Sequence, residues 1–193
     1  MSPSCRSLAE LREDPSYGRK MSETNAVRLE LWGAGDLPLL ERLLGDPAMT
    51  EHLGGPESPE KLVERQERYE RLADSETDRM FKIVDEATGE PCGSVGFWVR
   101  EWAGEQVYEI GWSVLPAFQG RGIATMATSQ AIERARAERK RRFVHAYPSV
   151  DNPPSNAICR KLGFTLLGEH DFEYPPGNPM RCNDWRFDLD AGQ

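Results

Sequence analysis

Two short stretches of this chain carry residue types whose spacing can do chemistry. The first runs Val114-Leu115-Pro116-Ala117-Phe118-Gln119-Gly120-Arg121-Gly122-Ile123-Ala124-Thr125. An alternating apolar run (Tyr108, Ile110, Trp112, Val114) leads into it, and a helical pattern follows. A strand that stops at a proline, turns through two glycines and opens a helix aims its backbone N–H groups in one direction. The positive end of the helix adds to them, and the result binds anions. A phosphate-bearing cosubstrate is the expectation. The stretch is not a P-loop, because no Gly-Lys-Ser/Thr follows. Nor is it a dinucleotide fingerprint, because the third glycine and the distal acidic partner are missing. Taken alone, it reads equally well as a plain strand-to-helix turn. The second stretch is Asn152-Pro153-Pro154-Ser155-Asn156-Ala157-Ile158-Cys159-Arg160-Lys161-Leu162-Gly163-Phe164. Here Asn152 suits a helix N-cap, Ser155 the first turn and Gly163 the C-cap.

The elements that must position these stretches can be read around them. Val27 to Leu31 alternates as a strand, and Asp36-Leu37-Pro38 opens a short helix carrying Leu39, Leu40, Leu43 and Leu44. Ser58-Pro59 starts a polar helix running to about Ala73, with a capping oxygen and a proline in its first turn. Met80 to Val84 and Cys92 to Val99 form a hairpin around Ala87-Thr88-Gly89, and a third strand covers about Gln106 to Val114. A helix from Gly122 to about Arg139 carries Ala124, Met126, Ala127, Ala131 and Ile132 near one face. A short strand, Phe143 to Tyr147, precedes the Asn152 to Leu162 helix. Phe164 to Leu167 and Asp184 to Leu189 close the chain as strands, with a loop at Tyr174 to Pro179. The class is α+β: a mostly antiparallel meander, a β-α-β unit and a final hairpin. Residues 1 to about 25 lack periodicity and read as a disordered extension, with Met21 a conceivable start. Residues 26–193 read as one domain.

Composition narrows the function classes. The chain has 193 residues, 38% hydrophobic and 29% charged, as in ordinary globular proteins. No apolar run approaches the roughly 20 residues that span a bilayer, and no apolar leader opens the sequence, so no membrane association or secretion is expected. The cysteines at 5, 92, 159 and 182 have no metal or disulfide spacing, which fits a reducing cytoplasm and no metal. A net charge of −8 disfavours nucleic acid and favours cationic acceptors. The basic cluster Arg134, Arg136, Arg139, Lys140, Arg141 and Arg142 is expected to complement the end of its own helix.

Together the two stretches resemble the acyl-CoA-binding core of the GNAT N-acetyltransferase superfamily. The first resembles its Q/R-x-x-G-x-G/A motif. The second resembles its N-x-x-S-x-x-I/V-x-x-K-L-G-F segment, most closely that of the ribosomal-protein alanine N-acetyltransferase branch. The likeness covers about residues 27 to 189 and is specific between about 108 and 165. It implies a three-layer arrangement, a twisted, mostly antiparallel sheet between helices, with acetyl-CoA as cosubstrate. By this resemblance, Gln119, Gly120, Arg121, Gly122, Ile123, Ala124 and Thr125 would wrap the pyrophosphate, Arg121 adding charge. Val114 and Leu115 would offer main-chain groups to the thioester and pantetheine, with the Val114 N–H as oxyanion donor. Asn152 would bond near the pantetheine and Ser155 would sit near the sulfur. A homodimer is compatible with the same likeness.

Acetyl transfer to an amine needs a base, an oxyanion donor and a tolerable leaving group. Glu109, between Tyr108 and Ile110, is the first candidate base, since a carboxylate beside aromatics can be raised in pKa. Many family members carry a tyrosine where this chain has Cys159, which reads as a buried thiol. The resemblance to the alanine N-acetyltransferase branch implies Ser155 as the better candidate acid. His145 and His52 are weaker candidates, more ordinarily structural, and Trp98, Trp102 and Trp112 suit core or pocket wall. The expected activity is direct acetyl transfer to a primary amine: a protein N-terminus, a polyamine or a small cationic metabolite. An aminoglycoside N-acetyltransferase and a non-catalytic acyl-CoA sensor are the alternatives. The acceptor-shaping segments, about 46 to 75 and 169 to 182, carry no readable motif.

Overall fold

A computed structural model describes residues 26–191. The expected N-terminal extension lies outside the described residues, as does Cys5. The strands are β1 (Val27–Leu31), β2 (Arg79–Asp85), β3 (Pro91–Trp102), β4 (Glu105–Val114), β5 (Phe143–Ala146), β6 (Thr165–Glu173) and β7 (Pro179–Asp188). The helices are α1 (Leu37–Leu44), α2 (Pro59–Arg71), α3 (Ile123–Glu138) and α4 (Pro153–Lys161). One seven-stranded sheet has the order β1-β2-β3-β4-β5-β7-β6. Every neighbouring pair is antiparallel except β4 and β5, which α3 joins in parallel.

The register sorts side chains onto two faces. Phe81, Val95, Phe97, Tyr108, Ile110 and Val144 share one face, and α3 packs on it through Ala127, Ala131 and Ala135, all fully buried. These small side chains bring helix and sheet close. Ala124 and Met126, expected on that face, are only half-buried. On the same side α4 is tied to the sheet by Asn156, whose Oδ1 accepts from Trp185 Nε1 at 2.8 Å and Asn183 Nδ2 at 2.7 Å. Helices α1 and α2 cover the other face over β1 to β3. There Lys82 Nζ meets Asp36 Oδ1 at 2.9 Å, and Trp32 Nε1 donates to Gln66 Oε1 at 2.8 Å. The face beyond them, over β4, β5 and β7, has no helix packed on it among the described residues.

Two expectations need correction. The last strands run much further than Phe164 to Leu167 and Asp184 to Leu189, leaving only residues 174–178 as the turn. Edge strand β6 is exposed along most of its length, so its sequence carries no apolar alternation to read. The basic cluster also does more than complement its own helix, although Arg136 does lie in the last turn of α3. Arg134 reaches Leu29 O and the Phe81 ring, Arg136 Nε reaches Leu189 O at 2.9 Å, and Arg142 pairs with Asp188 at 2.9 Å. These long side chains fasten α3 and its exit to flanking strands.

Candidate active site

The decisive local event is the parting of β4 from β5. Only Tyr108↔Val144 and Glu109↔His145 are paired, yet β4 continues to Val114 beside β3. After β5 the chain stays with β7 instead: Asn183 N donates to Pro148 O at 2.9 Å and Val150 N to Arg181 O at 3.0 Å. Leu115 N donates to Cys92 O at 2.9 Å. Hydrogen-bonded and non-bonded pairs alternate along an antiparallel ladder. The preceding residue, Val114, therefore turns its N–H and C=O away from β3, into the gap. Gln119 Nε2 donates to that carbonyl at 2.8 Å, tying the loop to the strand end.

Beyond the gap, Pro116–Phe118 forms a single 3-10 turn, and Gly122 caps α3 with no side-chain hydrogen bond. The first amides of α3, at Ile123, Ala124 and Thr125, thus have no capping oxygen. Gly120 (φ +74°) and Gly122 (φ +78°) are both left-handed, and a Cβ on either would meet nothing within 4 Å. Backbone conformation requires these glycines, and the open space beside them leaves the cradle accessible. Arg121, expected to add charge there, places Nη2 2.8 Å from Asp85 Oδ2. Asp85 is wholly buried, so this partner offsets a charge that would be costly alone.

At α4, Asn152 Oδ1 accepts from Ser155 N at 3.1 Å, the capping role its position suggested. Ser155 is half-buried at the start of that helix. Cys159 is fully buried in the core, where burial pushes its thiol up to about 12. It holds its proton at neutral pH and packs as a small apolar side chain.

Glu109 lies on the open face, opposite Trp98 on one side and His145 on the other. It does not stand alone among aromatic rings. Arg100 Nη1 donates to its Oε2 at 2.5 Å, and the same guanidinium lies 4.8–5.3 Å from the Phe172, Tyr147 and Trp102 ring centroids. Beside this pair His145 is buried, with Nδ1 2.6 Å from Asp184 Oδ1. Asp184 Oδ2 accepts from Trp102 Nε1 at 2.9 Å. Sequence reasoning missed Arg100, Tyr147 and Asp184. Only strand register shows that they converge. Trp98 lies over Gly111 on this face, whereas Trp112 faces the α3 side.

The two segments expected to shape the acceptor site meet above this floor. Arg65 on α2 is paired with Glu57, and its Nη2 donates to Tyr174 Oη at 3.2 Å. Gly54 packs directly against Pro175 and Asn178. His52 sits in the adjoining 3-10 turn, Glu51–Leu53, half-buried. A separate cavity of about 560 Å³, lined by Phe81, Arg134 and Glu138, lies on the α3 side of the sheet, away from this arrangement.

Comparison with known proteins matches this geometry. The acetyltransferase (GNAT) domain pattern matches residues 27–165. The uncharacterized N-acetyltransferase YnaD of Bacillus subtilis is 31% identical over 78 residues, a match spanning 40% of this chain and 46% of that relative's length. The ribosomal-protein-S5-alanine acetyltransferase structure from Vibrio fischeri superposes with a TM-score of 0.71 at 18% identity, covering 89% of this chain and 98% of that one. Spermidine N-acetyltransferase from Vibrio cholerae, in complex with CoA and spermine, gives 0.70 at 18% identity, over 84% of this chain and 95% of that one. With that domain pattern matched from β1 through α4 on a sheet of the same architecture, this chain belongs to the GNAT acetyltransferase family.

Proposed function

We propose that the protein transfers an acetyl group from acetyl-CoA to a primary amine by direct attack, in the cytoplasm. The observation that carries this reading is the β4–β5 gap opening beside the uncapped α3 N-terminus. A pyrophosphate fits the amides from Gln119 to Thr125, and the pantetheine fits the free edge of β4 at Val114 and Leu115. On this reading Asn152 and Ser155, at the start of α4, serve the pantetheine and the departing sulfur. The Val114 N–H supplies the oxyanion donor, and such a donor contributes about 3–4 kcal/mol when aimed at developing charge. Glu109 supplies a negative charge on the cleft floor for the incoming ammonium. With that carboxylate and the chain's net charge of −8, a cationic acceptor fits best, a peptide N-terminus or a polyamine.

Calorimetric titration with acetyl-CoA tests the cradle. Thiol release over an alanyl peptide, spermidine and an aminoglycoside then tests transfer. Binding followed by release supports the reading and identifies the acceptor class. Binding without release from any amine favours a sensor, and absence of binding removes the cradle.

A further inference from the structure

Resting on the acetyltransferase reading, we propose that His145, oriented by Asp184, is the base that takes the acceptor's proton. His145 stands in the last β4–β5 pair, where the strands part, and shares the open face with Glu109. Its Nδ1 lies 2.6 Å from Asp184 Oδ1, and Trp102 Nε1 holds the other carboxylate oxygen at 2.9 Å. A carboxylate accepts only, so the imidazole proton sits on Nδ1 and the lone pair on Nε2. Among the described residues Nε2 has no hydrogen-bond partner. The Tyr147 ring stacks on the imidazole at 5.8 Å between centroids, and its buried hydroxyl is also without a partner. Burial, with the charge of Asp184 behind it, pushes that phenol up, so it keeps its proton.

Two carboxylates on one face thus have separate tasks. Asp184 is committed to the imidazole and the Trp102 indole, and Glu109 to the Arg100 guanidinium. Proton transfer to Nε2 through one water leaves an imidazolium opposite Asp184 and a free amine. The amine nitrogen attacks the thioester carbon. The C–N bond forms, the C–S bond breaks, and its electron pair stays on sulfur. The surplus proton on nitrogen passes to sulfur, and the imidazolium returns its proton to solvent. The sum is an ammonium and acetyl-CoA giving amide, CoA thiol and one proton.

The charged and titratable groups around His145 are Asp184, Glu109, Arg100, Tyr147, His170, Cys182 and Arg186. The test measures thiol release against pH for the full chain and for H145Q, D184N and E109Q, with acetyl-CoA and the amine that turns over among spermidine, an aminoglycoside and an alanyl peptide. H145Q should lose on the order of 10²–10⁴-fold in kcat, together with one ionisation limb of the pH–rate profile, and bind acetyl-CoA as before. D184N should shift that limb, and E109Q should retain it. If H145Q does not fold, the D184N limb decides. A folded H145Q with unchanged rate and profile, or a folded D184N with an unmoved limb, overturns the assignment. No thiol release by the unaltered chain with any amine overturns the acetyltransferase reading and this assignment together.

Discussion

Arg100 is the residue that changes the meaning of Glu109. Its guanidinium satisfies the carboxylate at 2.5 Å and is itself enclosed by three aromatic rings. Arginine suits this place because its planar cation can stack and donate at once. An arriving ammonium then shares a carboxylate that is already positioned, instead of meeting one that must first be oriented. On this reading E109Q weakens acceptor capture more than the chemical step. A charge-assisted hydrogen bond contributes about 1.5–3 kcal/mol, so the amine KM should rise about tenfold or more, with acetyl-CoA affinity unchanged. Steady-state kinetics over amine concentration check this. An amine KM equal to that of the unaltered protein would remove Glu109 from the acceptor site.

At the scale of elements, the proposed function assigns the two ligands to two different loops. The turn before α3 depends on Gly120 and Gly122 in left-handed conformations with open space beside them. Gly122→Trp strains that turn by about 1–2 kcal/mol and fills the cradle, so acetyl-CoA binding should fall at least a hundredfold while the fold survives. Calorimetry on a variant with an unchanged circular dichroism spectrum gives the answer. Undiminished affinity would refute the cradle. The second loop joins α1 to α2. A Cβ on Gly54, which has φ +80°, would lie 2.5 Å from Pro175 Cδ and 2.7 Å from Asn178 Nδ2. Gly54→Ala therefore pushes the α1–α2 loop off the β6–β7 turn. The amine KM should change severalfold and the acetyl-CoA Kd should not. Equal effects on both ligands would contradict a division of labour between the loops.

At the scale of the whole molecule, stability should fall at alkaline pH. The three described cysteines are free, and burial pushes Cys92 to about 11, Cys159 to about 12 and Cys182 to about 11. Each folded-state value lies above the ordinary thiol value of 9.0. The native state thus binds more protons than the unfolded chain. The contribution is full below pH 9 and is lost as pH rises towards 11–12. Urea unfolding across that range should show stability declining with pH. Cys159→Ala should shallow the decline, at a cost of about 1 kcal/mol near neutrality for the small void. A slope unaffected by the substitution would assign the decline to other groups.

Much of this was legible without coordinates, because it rests on local rules. The alternation of β1 and β4, the β2–β3 hairpin turn, the Ser58-Pro59 and Asn152-Pro153 helix starts, and the Gly120 and Gly122 turn are each written within a few consecutive residues. The two motifs at their separation were enough to point to an acyl-CoA fold, and the Cys159 environment followed from residue type. The extent of β6 and β7 was not legible, since an exposed edge strand needs no apolar period. Nor was the partner of any charged side chain. Arg100 finds Glu109 across β3 and β4, and His145 finds Asp184 across β5 and β7, at sequence separations of 9 and 39. Those meetings depend on strand order and register, which are fixed by burying one sheet face under α3. A one-residue slip would send each group to the opposite face. The sequence by itself determined the two-glycine turn before α3 and the class of fold. Tertiary packing alone decided which acids and bases share the cleft.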